Sequence, residues 1–215
     1  MRSAPPTVGL KVITAPSAEP VTAAEAKLWA RVDTSADDAL IGSLITTARQ
    51  YLEDTWDRAF IKQQLQMSLE TFPGSRYGWT NLSSYEVSKY AIRLPRAPYL
   101  AVTDYPQIQY LDADGVLQSA EKESWVLVAK SQPARIVPAQ GCIWPVTLQQ
   151  PESVTVTYYA GYGDTAASVP EGVKTAIKML VSHWYQNREP AGQVGDEIAY
   201  AVRALMAQSW HGWLT

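Results

Sequence analysis

The longest amphipathic pattern in the chain lies between residues 34 and 56. Its apolar residues recur every three or four positions: Leu40, Ile41, Leu44, Ile45, Ala48, Leu52 and Trp56. This spacing predicts an α-helix with one apolar stripe. Ser35 and Asp38 predict its start, because a hydroxyl caps a free backbone amide and an acid in the first turn favours the helix dipole. Such a helix is not stable alone in water, so the stripe predicts a partner helix.

Residues that tolerate water, most of them polar, occupy the other side of this predicted helix. They are Asp38, Gly42, Thr46, Arg49, Glu53 and Asp57. Arg49 with Glu53, and Asp54 with Arg58, are spaced four residues apart and can form ion pairs along a helix. The simpler interpretation is two solvated surface pairs, each worth about 0.2–0.5 kcal/mol. The alternative is that these four residues contact a neighbouring subunit.

The predicted partner lies near the end of the chain. Ser168-Val-Pro-Glu171 indicates a helix start with a capping pair and a proline in the first turn. The stripe that follows is Val173, Ala176, Ile177, Leu180, Val181 and Trp184. We expect this stripe to cover the 34–56 helix. Two shorter helical patterns complete the set. One follows Thr22, which forms a capping box with Glu25, and the other runs from Ile198 to Met206. The sequence therefore predicts about four helices.

Between these helical segments the hydrophobic period changes to two. Leu65, Met67 and Leu69 alternate with polar residues and predict a half-buried strand. Residues 112–115, Asp-Ala-Asp-Gly, predict the turn of a β-hairpin. About six short strands separated by Pro and Gly predict a small antiparallel sheet or barrel. The fold class is therefore α+β, a small helical core of about four helices with an inserted antiparallel β-rich lobe.

The same patterns divide the chain into four parts. Residues 1–20 form an extended N-terminal arm in which Val8 to Ile13 predict one strand that needs another surface to lie on. Residues 21–58 and 168–207 form the helical core, and residues 60–164 form the β-rich insertion. Residues 208–215 form a C-terminal tail that is apolar but too short for its own core.

Composition excludes several classes of protein. A net charge of -3 argues against a protein that grips nucleic acid by neutralising phosphates, although nucleic acid could still pass through it. No run of about 18 apolar residues is present, so we expect no membrane span. The single cysteine, Cys142, rules out an internal disulfide.

Candidate catalytic residues are few. The chain has two histidines, His183 within a predicted helix and His211 in the tail. A helical histidine beside a tryptophan is typical of a structural role, and a short tail does not hold catalytic geometry. Cys142 has no neighbouring basic group in the sequence to lower its pKa. The chain is too poor in His and Cys for a zinc site, so we expect no enzyme activity, no metal and no cofactor.

Aromatic composition leaves one alternative open. Eight tryptophans and twelve tyrosines stand against two phenylalanines, and amphipathic rings are favoured on surfaces that bind partners. Trp79, Trp125 and Trp144 in the β-rich segment could form a carbohydrate-binding or receptor-binding module. That alternative requires exposed, coplanar rings, and burial of these tryptophans counts against it.

An ordered series of segments runs from about residue 20 to residue 206. The series begins with PVTAAEAKLWARVD and DDALIGSLITTARQYLED and continues with RLPRAP, QYLDADG, ARIVP, VTVTYYAGYGD and VPEGVKTAIKMLVSHWYQNRE. In this order the segments resemble the head–tail connector (adaptor, or head-completion) family of long-tailed phages and gene transfer agents. The tail, with Trp210, His211, Trp213 and Leu214, does not match the family pattern.

The resemblance implies a structural protein of the particle, made in the bacterial cytoplasm and located at the head–tail junction. Its implied partners are the portal protein, a tail-side stopper or tail terminator protein, and further copies of itself in a ring, commonly a dodecamer. DNA would pass through the ring only as cargo, and no membrane would be involved. The sequence predicts no segment within the chain that would bury the apolar tail. We therefore expect the tail to dock on the portal through Trp210, His211, Trp213 and Leu214.

Overall fold

The computed structural model describes residues 9–74, 90–187 and 196–208. The chain forms two compact units. One unit contains the described parts of Met1–Ala15 and Gln63–Ala160, and the other contains those of Pro16–Lys62 and Gly161–Thr215. All described strands lie in the first unit and all described α-helices in the second. The predicted α+β class, with a β-rich segment inserted into a helical core, is confirmed.

Four α-helices build the helical unit in the described part of the chain. They are α1 (Ala23–Ala30), α2 (Asp38–Trp56), α3 (Glu171–Gln186) and α4 (Asp196–Gln208). The capping box predicted for α1 is present: the Thr22 hydroxyl accepts from the Glu25 amide at 3.2 Å, and the Thr22 amide donates to the Glu25 carboxylate at 2.7 Å. The Thr22 amide and the Thr22 hydroxyl each donate a 2.7 Å hydrogen bond to the Glu25 carboxylate, and these two bonds lower the pKa of Glu25 below its ordinary value.

The apolar stripes of α2 and α3 face each other, as predicted. Ile41, Ile45 and Leu52 from α2 are buried in one cluster with Val173 and Ile177 from α3. At the edge of this contact the rings of Tyr51 and Trp184 meet edge to face, with centroids 6.0 Å apart. α1 packs on both long helices, and α4 packs on α3. Two helices that are distant in the sequence therefore form the core of the helical unit.

The predicted starts of the two long helices are wrong. α2 begins at Asp38 rather than after Ser35, and Asp37 occupies its cap position without a capping hydrogen bond from its side chain. The Asp37 carboxylate instead accepts a hydrogen bond from the hydroxyl of Tyr185 on α3. α3 begins at Glu171 with Pro170 at the cap position, also without a side-chain cap, because Ser168 belongs to a preceding 3₁₀ turn. Tertiary contacts and local turns replace both predicted caps.

Two antiparallel sheets build the other unit. The eight described strands are β1 (Gly9–Thr14), β2 (Gln63–Leu69), β3 (Ile92–Arg93), β4 (Gln107–Leu111), β5 (Leu117–Ser119), β6 (Trp125–Val128), β7 (Arg135–Pro138) and β8 (Val154–Ala160). The larger sheet has the order β1-β2-β8-β4-β5 and the smaller one β3-β7-β6. β1 pairs with β2, so the strand predicted near the N-terminus does lie on another surface.

The predicted alternation is clearest in β2 and β8. Buried and partly buried residues alternate along both strands. The register pairs Leu65 with Tyr158 and Met67 with Val156, so these four side chains lie on one buried face. The predicted hairpin joins β4 to β5, and the Asp112 carboxylate accepts hydrogen bonds from the amides of Asp114 and Val116. A hydrogen bond from the Gln118 side chain, together with these two backbone bonds, lowers the pKa of Asp112.

Candidate functional site

Arg49 and Glu53 lie on the inner side of α2. Arg49 is 6% exposed and Glu53 is 4% exposed, so their interpretation as a solvated surface pair is wrong. Arg49 Nη1 donates to Glu53 Oε2 at 2.7 Å, and Arg49 Nε donates to Glu19 Oε2 at 2.8 Å. One guanidinium therefore joins two carboxylates that lie 34 positions apart in the sequence.

Further hydrogen bonds satisfy both carboxylates of this cluster. Glu19 Oε1 accepts from the Thr46 hydroxyl at 2.9 Å, and Glu53 Oε1 accepts from the buried amide of Phe60 at 2.9 Å. Burial disfavours the charged form of Arg49, but its hydrogen bond to Glu19 and the negative charges of Glu53 and Glu19 outweigh that cost and raise its pKa. The cluster fixes the segment before α1 and the turn after α2 onto α2 itself.

The two residues of the second predicted pair, Asp54 and Arg58, have different environments. Asp54 is exposed, whereas Arg58 is 3% exposed. Arg58 Nη1 donates to the Tyr162 hydroxyl at 3.4 Å, across the connection that leads to α3. Among Arg49, Glu53, Asp54 and Arg58, Asp54 alone presents an exposed side chain. A role for these residues in contacts between subunits stays a prediction.

The predicted portal-binding residues of the tail lie outside the described part of the chain. They are Trp210, His211, Trp213 and Leu214. The last described element before the tail is α4, which is anchored in the helical core by Val202 and Met206. The docking role of the tail stays a prediction.

Two exposed apolar side chains on the helical unit were not singled out from the sequence. Leu28 on α1 is 83% exposed and Tyr200 on α4 is 76% exposed. In α1 the small Ala26 faces the core, whereas Leu28 and Trp29 face outward. Periodicity identifies a helix but does not tell which apolar face is covered when a short helix is apolar on several sides.

Two of the three candidate catalytic residues, His183 and Cys142, lie in the described part of the chain. His183 lies near the end of α3, with its Nδ1 3.2 Å from Asn187 Nδ2, and Asn187 also donates to the His183 carbonyl oxygen at 2.9 Å. Cys142 is a partly buried free thiol. Within residues 9–74, 90–187 and 196–208, no three His, Cys, Asp or Glu side chains come together as metal ligands. The same ranges contain no helix that is both long and apolar enough to cross a bilayer.

The tryptophans proposed as a carbohydrate platform are buried where the structure describes them. Trp144 is 2% exposed, and its ring stacks on Phe72 at 4.7 Å with an interplanar angle of 4°. Its indole N–H donates to the Tyr90 carbonyl oxygen at 2.8 Å. Trp125 is 9% exposed, and Trp79 lies outside the described residues. Because Trp125 and Trp144 form part of the core, the carbohydrate-binding alternative is not supported.

The fold and these side-chain environments define a class of protein. A helical core carries an inserted β-rich unit, the buried charges described above are paired within the chain, and large apolar side chains protrude from helices. Exposed apolar surface on well-packed helices is typical of a protein that associates with other proteins.

Comparisons with known proteins agree with this class. Residues 147–211 match the family model of Phage gp6-like head-tail connector proteins. A chain in the structure "Neck of empty GTA particle computed with C6 symmetry" aligns with a TM-score of 0.68 and 21% identity, covering 96% of this chain and 97% of that chain. A chain in the "Virion of native gene transfer agent (GTA) particle" aligns with the same score and identity over 96% of both chains.

A third structure has the same fold. A chain in the "Neck of native GTA particle computed with C12 symmetry" aligns with a TM-score of 0.61 and 18% identity, covering 96% of this chain and 97% of that chain. No curated protein matches the sequence. The resemblance predicted from the sequence is confirmed: the chain is similar to head–tail connector proteins in its C-terminal sequence and to neck proteins of gene transfer agents in its whole fold.

Proposed function

We propose that the protein is a structural component of a phage or gene transfer agent particle, forming a ring that joins the portal of the head to the tail. The observation that carries this proposal is the alignment of 96% of the chain with 97% of a neck protein, together with the connector family match at residues 147–211. The ring extends the DNA channel and has no catalytic role.

The proposed partners follow from a position at the head–tail junction. The ring contacts the portal protein on one side and a stopper or tail terminator protein on the other. Twelve copies form the ring, a number that fits both the C12 and the C6 symmetry used for the necks that contain two structural neighbours. The net charge of -3 suits a conduit, since a mildly acidic wall does not hold passing DNA by neutralising its phosphates.

Mixing the purified protein with the portal protein of its own particle tests this function. Native mass spectrometry of the complex is expected to show twelve copies of the chain on each portal oligomer. The free chain is expected to be smaller, because contacts that are weak singly become effective through many simultaneous attachments. A portal that remains unbound at high micromolar concentrations of the chain would contradict the function.

The tail is proposed to supply much of the portal affinity. Buried tryptophans are frequent hot spots of protein interfaces, where truncation costs at least about 2 kcal/mol. Replacing Trp210 and Trp213 together by alanine is therefore expected to weaken portal binding at least about 10-fold, since about 1.4 kcal/mol corresponds to a factor of ten. Titration calorimetry measures the change, and Thr215→Ala is the matched control in the same tail. Equal affinity of the double variant and the control would refute the docking role.

A further inference from the structure

Leu28 and Tyr200 have the most exposed large hydrophobic side chains in the described part of the chain, at 83% and 76%. Both belong to the helical unit, but they lie on different helices, α1 and α4. A closed ring built from identical subunits requires two different surfaces on each copy, one for each neighbour. Exposed apolar groups on two separate, well-anchored helices satisfy this requirement.

α1 holds Leu28 on a fixed support. The capping box of Thr22 and Glu25 closes the start of the helix, and Lys27 forms a 2.6 Å ion pair with Asp38 at the start of α2. Next to Leu28, the Trp29 ring has the Lys178 ammonium group 5.5 Å from its centroid, which restrains the ring. The outward face of α1 is therefore rigid, which lowers the entropy cost of binding a partner.

α4 presents Tyr200 in a similar way. Val202 and Met206 are 5% and 2% exposed and fix the inner face of α4 in the core. Glu197, Tyr200 and Ala204 are all exposed and are spaced by three and then four residues, so they form one stripe on the outer face. In chain order, the stripe presents an acidic side chain (Glu197), an aromatic side chain (Tyr200) and a small side chain (Ala204).

α1 and the residue that caps its C-terminal end carry a matching series in the opposite direction. Ala24 and Leu28 lie in α1, Arg31 is the cap residue with a φ of 56°, and all three are exposed. At a rise of about 1.5 Å per residue, Ala24 and Leu28 lie about 6 Å apart along the axis of α1, as Tyr200 and Ala204 do along α4. With the two helices antiparallel, Ala24 lies opposite Ala204 and Leu28 opposite Tyr200, and the end of α1 with Arg31 lies at the start of α4 with Glu197.

We propose that α1 of one copy docks antiparallel on α4 of the next copy, and that this contact builds the ring. This inference rests on the proposed function and identifies the two surfaces through which neighbouring copies contact each other in the ring. Leu28 and Tyr200 exclude water at the centre of the contact, the two alanines let the backbones approach, and the Arg31–Glu197 ion pair fixes the register. A second copy is the occupant because both halves of the complementary pattern lie on the same chain.

Site-directed cross-linking tests the contact directly. Leu28→Cys and Tyr200→Cys are introduced together into a Cys142→Ala chain, and a short bifunctional maleimide is added to the ring assembled on the portal. Denaturing gels are expected to show a ladder of multimers, because each copy is linked to two neighbours. Chains with only one of the two cysteines are expected to stay monomeric. Val146→Cys, at a side chain that is 68% exposed in the β unit, replaces Tyr200→Cys in the control and is expected to give no ladder.

Charge reversal tests the register of the same contact. Arg31→Glu and Glu197→Arg are each expected to lower the number of copies per portal at least twofold at limiting protein concentration. The double variant is expected to restore it, because the ion pair is re-formed with opposite signs. Full rings without the cysteine ladder, or rings unaffected by either reversal, would overturn the α1–α4 contact while leaving the connector function intact. Failure of the unmodified chain to bind the portal would overturn both.

Discussion

Replacing Arg49 by methionine is expected to lower the free energy of unfolding by about 3–5 kcal/mol. Arg49 joins the carboxylates of Glu19 and Glu53 at 2.8 Å and 2.7 Å, and Glu53 is only 4% exposed. Without the guanidinium, a buried carboxylate loses its compensating charge, whereas methionine fills a similar volume. Urea denaturation followed by far-UV circular dichroism measures the change.

Glu171→Gln is the matched control for a removed ion pair. Glu171 pairs with Lys174 at 2.6 Å on the same helix, but its side chain is 79% exposed. Solvent screens such a pair, so its loss is expected to cost less than about 1 kcal/mol. Arg49→Lys is expected to fall between the two, because an ammonium group keeps the charge but loses the planar fork that reaches both carboxylates. Equal stability of Arg49→Met and Glu171→Gln would show that the buried cluster does not stabilise the helical unit.

Gly161→Ala is expected to lower the free energy of unfolding by about 3 kcal/mol or more, from backbone strain together with overpacking. Gly161 has a φ of +133°, which L side chains rarely adopt. An added Cβ would lie 2.7 Å from the carbonyl carbon of Ile61 and 2.7 Å from the amide nitrogen of Lys62. The clash is with backbone, which a change of rotamer does not relieve.

Gly42→Ala is the same substitution at another position, where it is expected to raise the free energy of unfolding instead of lowering it. Gly42 lies within α2, and an added Cβ there would meet nothing within 4 Å. Because alanine favours the helix over glycine, this variant is expected to be more stable by about 0.5–1 kcal/mol. Thermal unfolding of both variants under one condition measures the difference. Destabilisation of both by similar amounts would contradict the close approach at Gly161.

Hydrophobic periodicity was sufficient to predict the main elements of the fold. The stripes from Leu40 to Trp56 and from Val173 to Trp184 are long and regular, and the structure packs them against each other. The alternation at Leu65, Met67 and Leu69 and the Asp-Gly turn at residues 112–115 are also local signals. Such features are predictable because the chain segment itself carries the information.

Features that depend on distant contacts were not predictable from the sequence. Arg49 and Glu53 resemble a surface pair because nothing in the sequence links them to Glu19, which lies in a proline-containing segment. Ser35 has the chemistry of a helix cap, but α2 begins later, where Asp37 accepts a hydrogen bond from Tyr185. Leu28 has the same apolar character as a core residue, and only the packing of α1 shows that it faces outward.

Imaging the protein on its portal by cryo-electron microscopy tests the central claim most directly. We predict a ring coaxial with the portal, with twelvefold symmetry and a helical core in each subunit that matches α1 to α4. The portal alone, imaged in the same way, provides the control. Copies bound away from the portal axis, or no added density on a portal saturated with folded protein, would contradict the account.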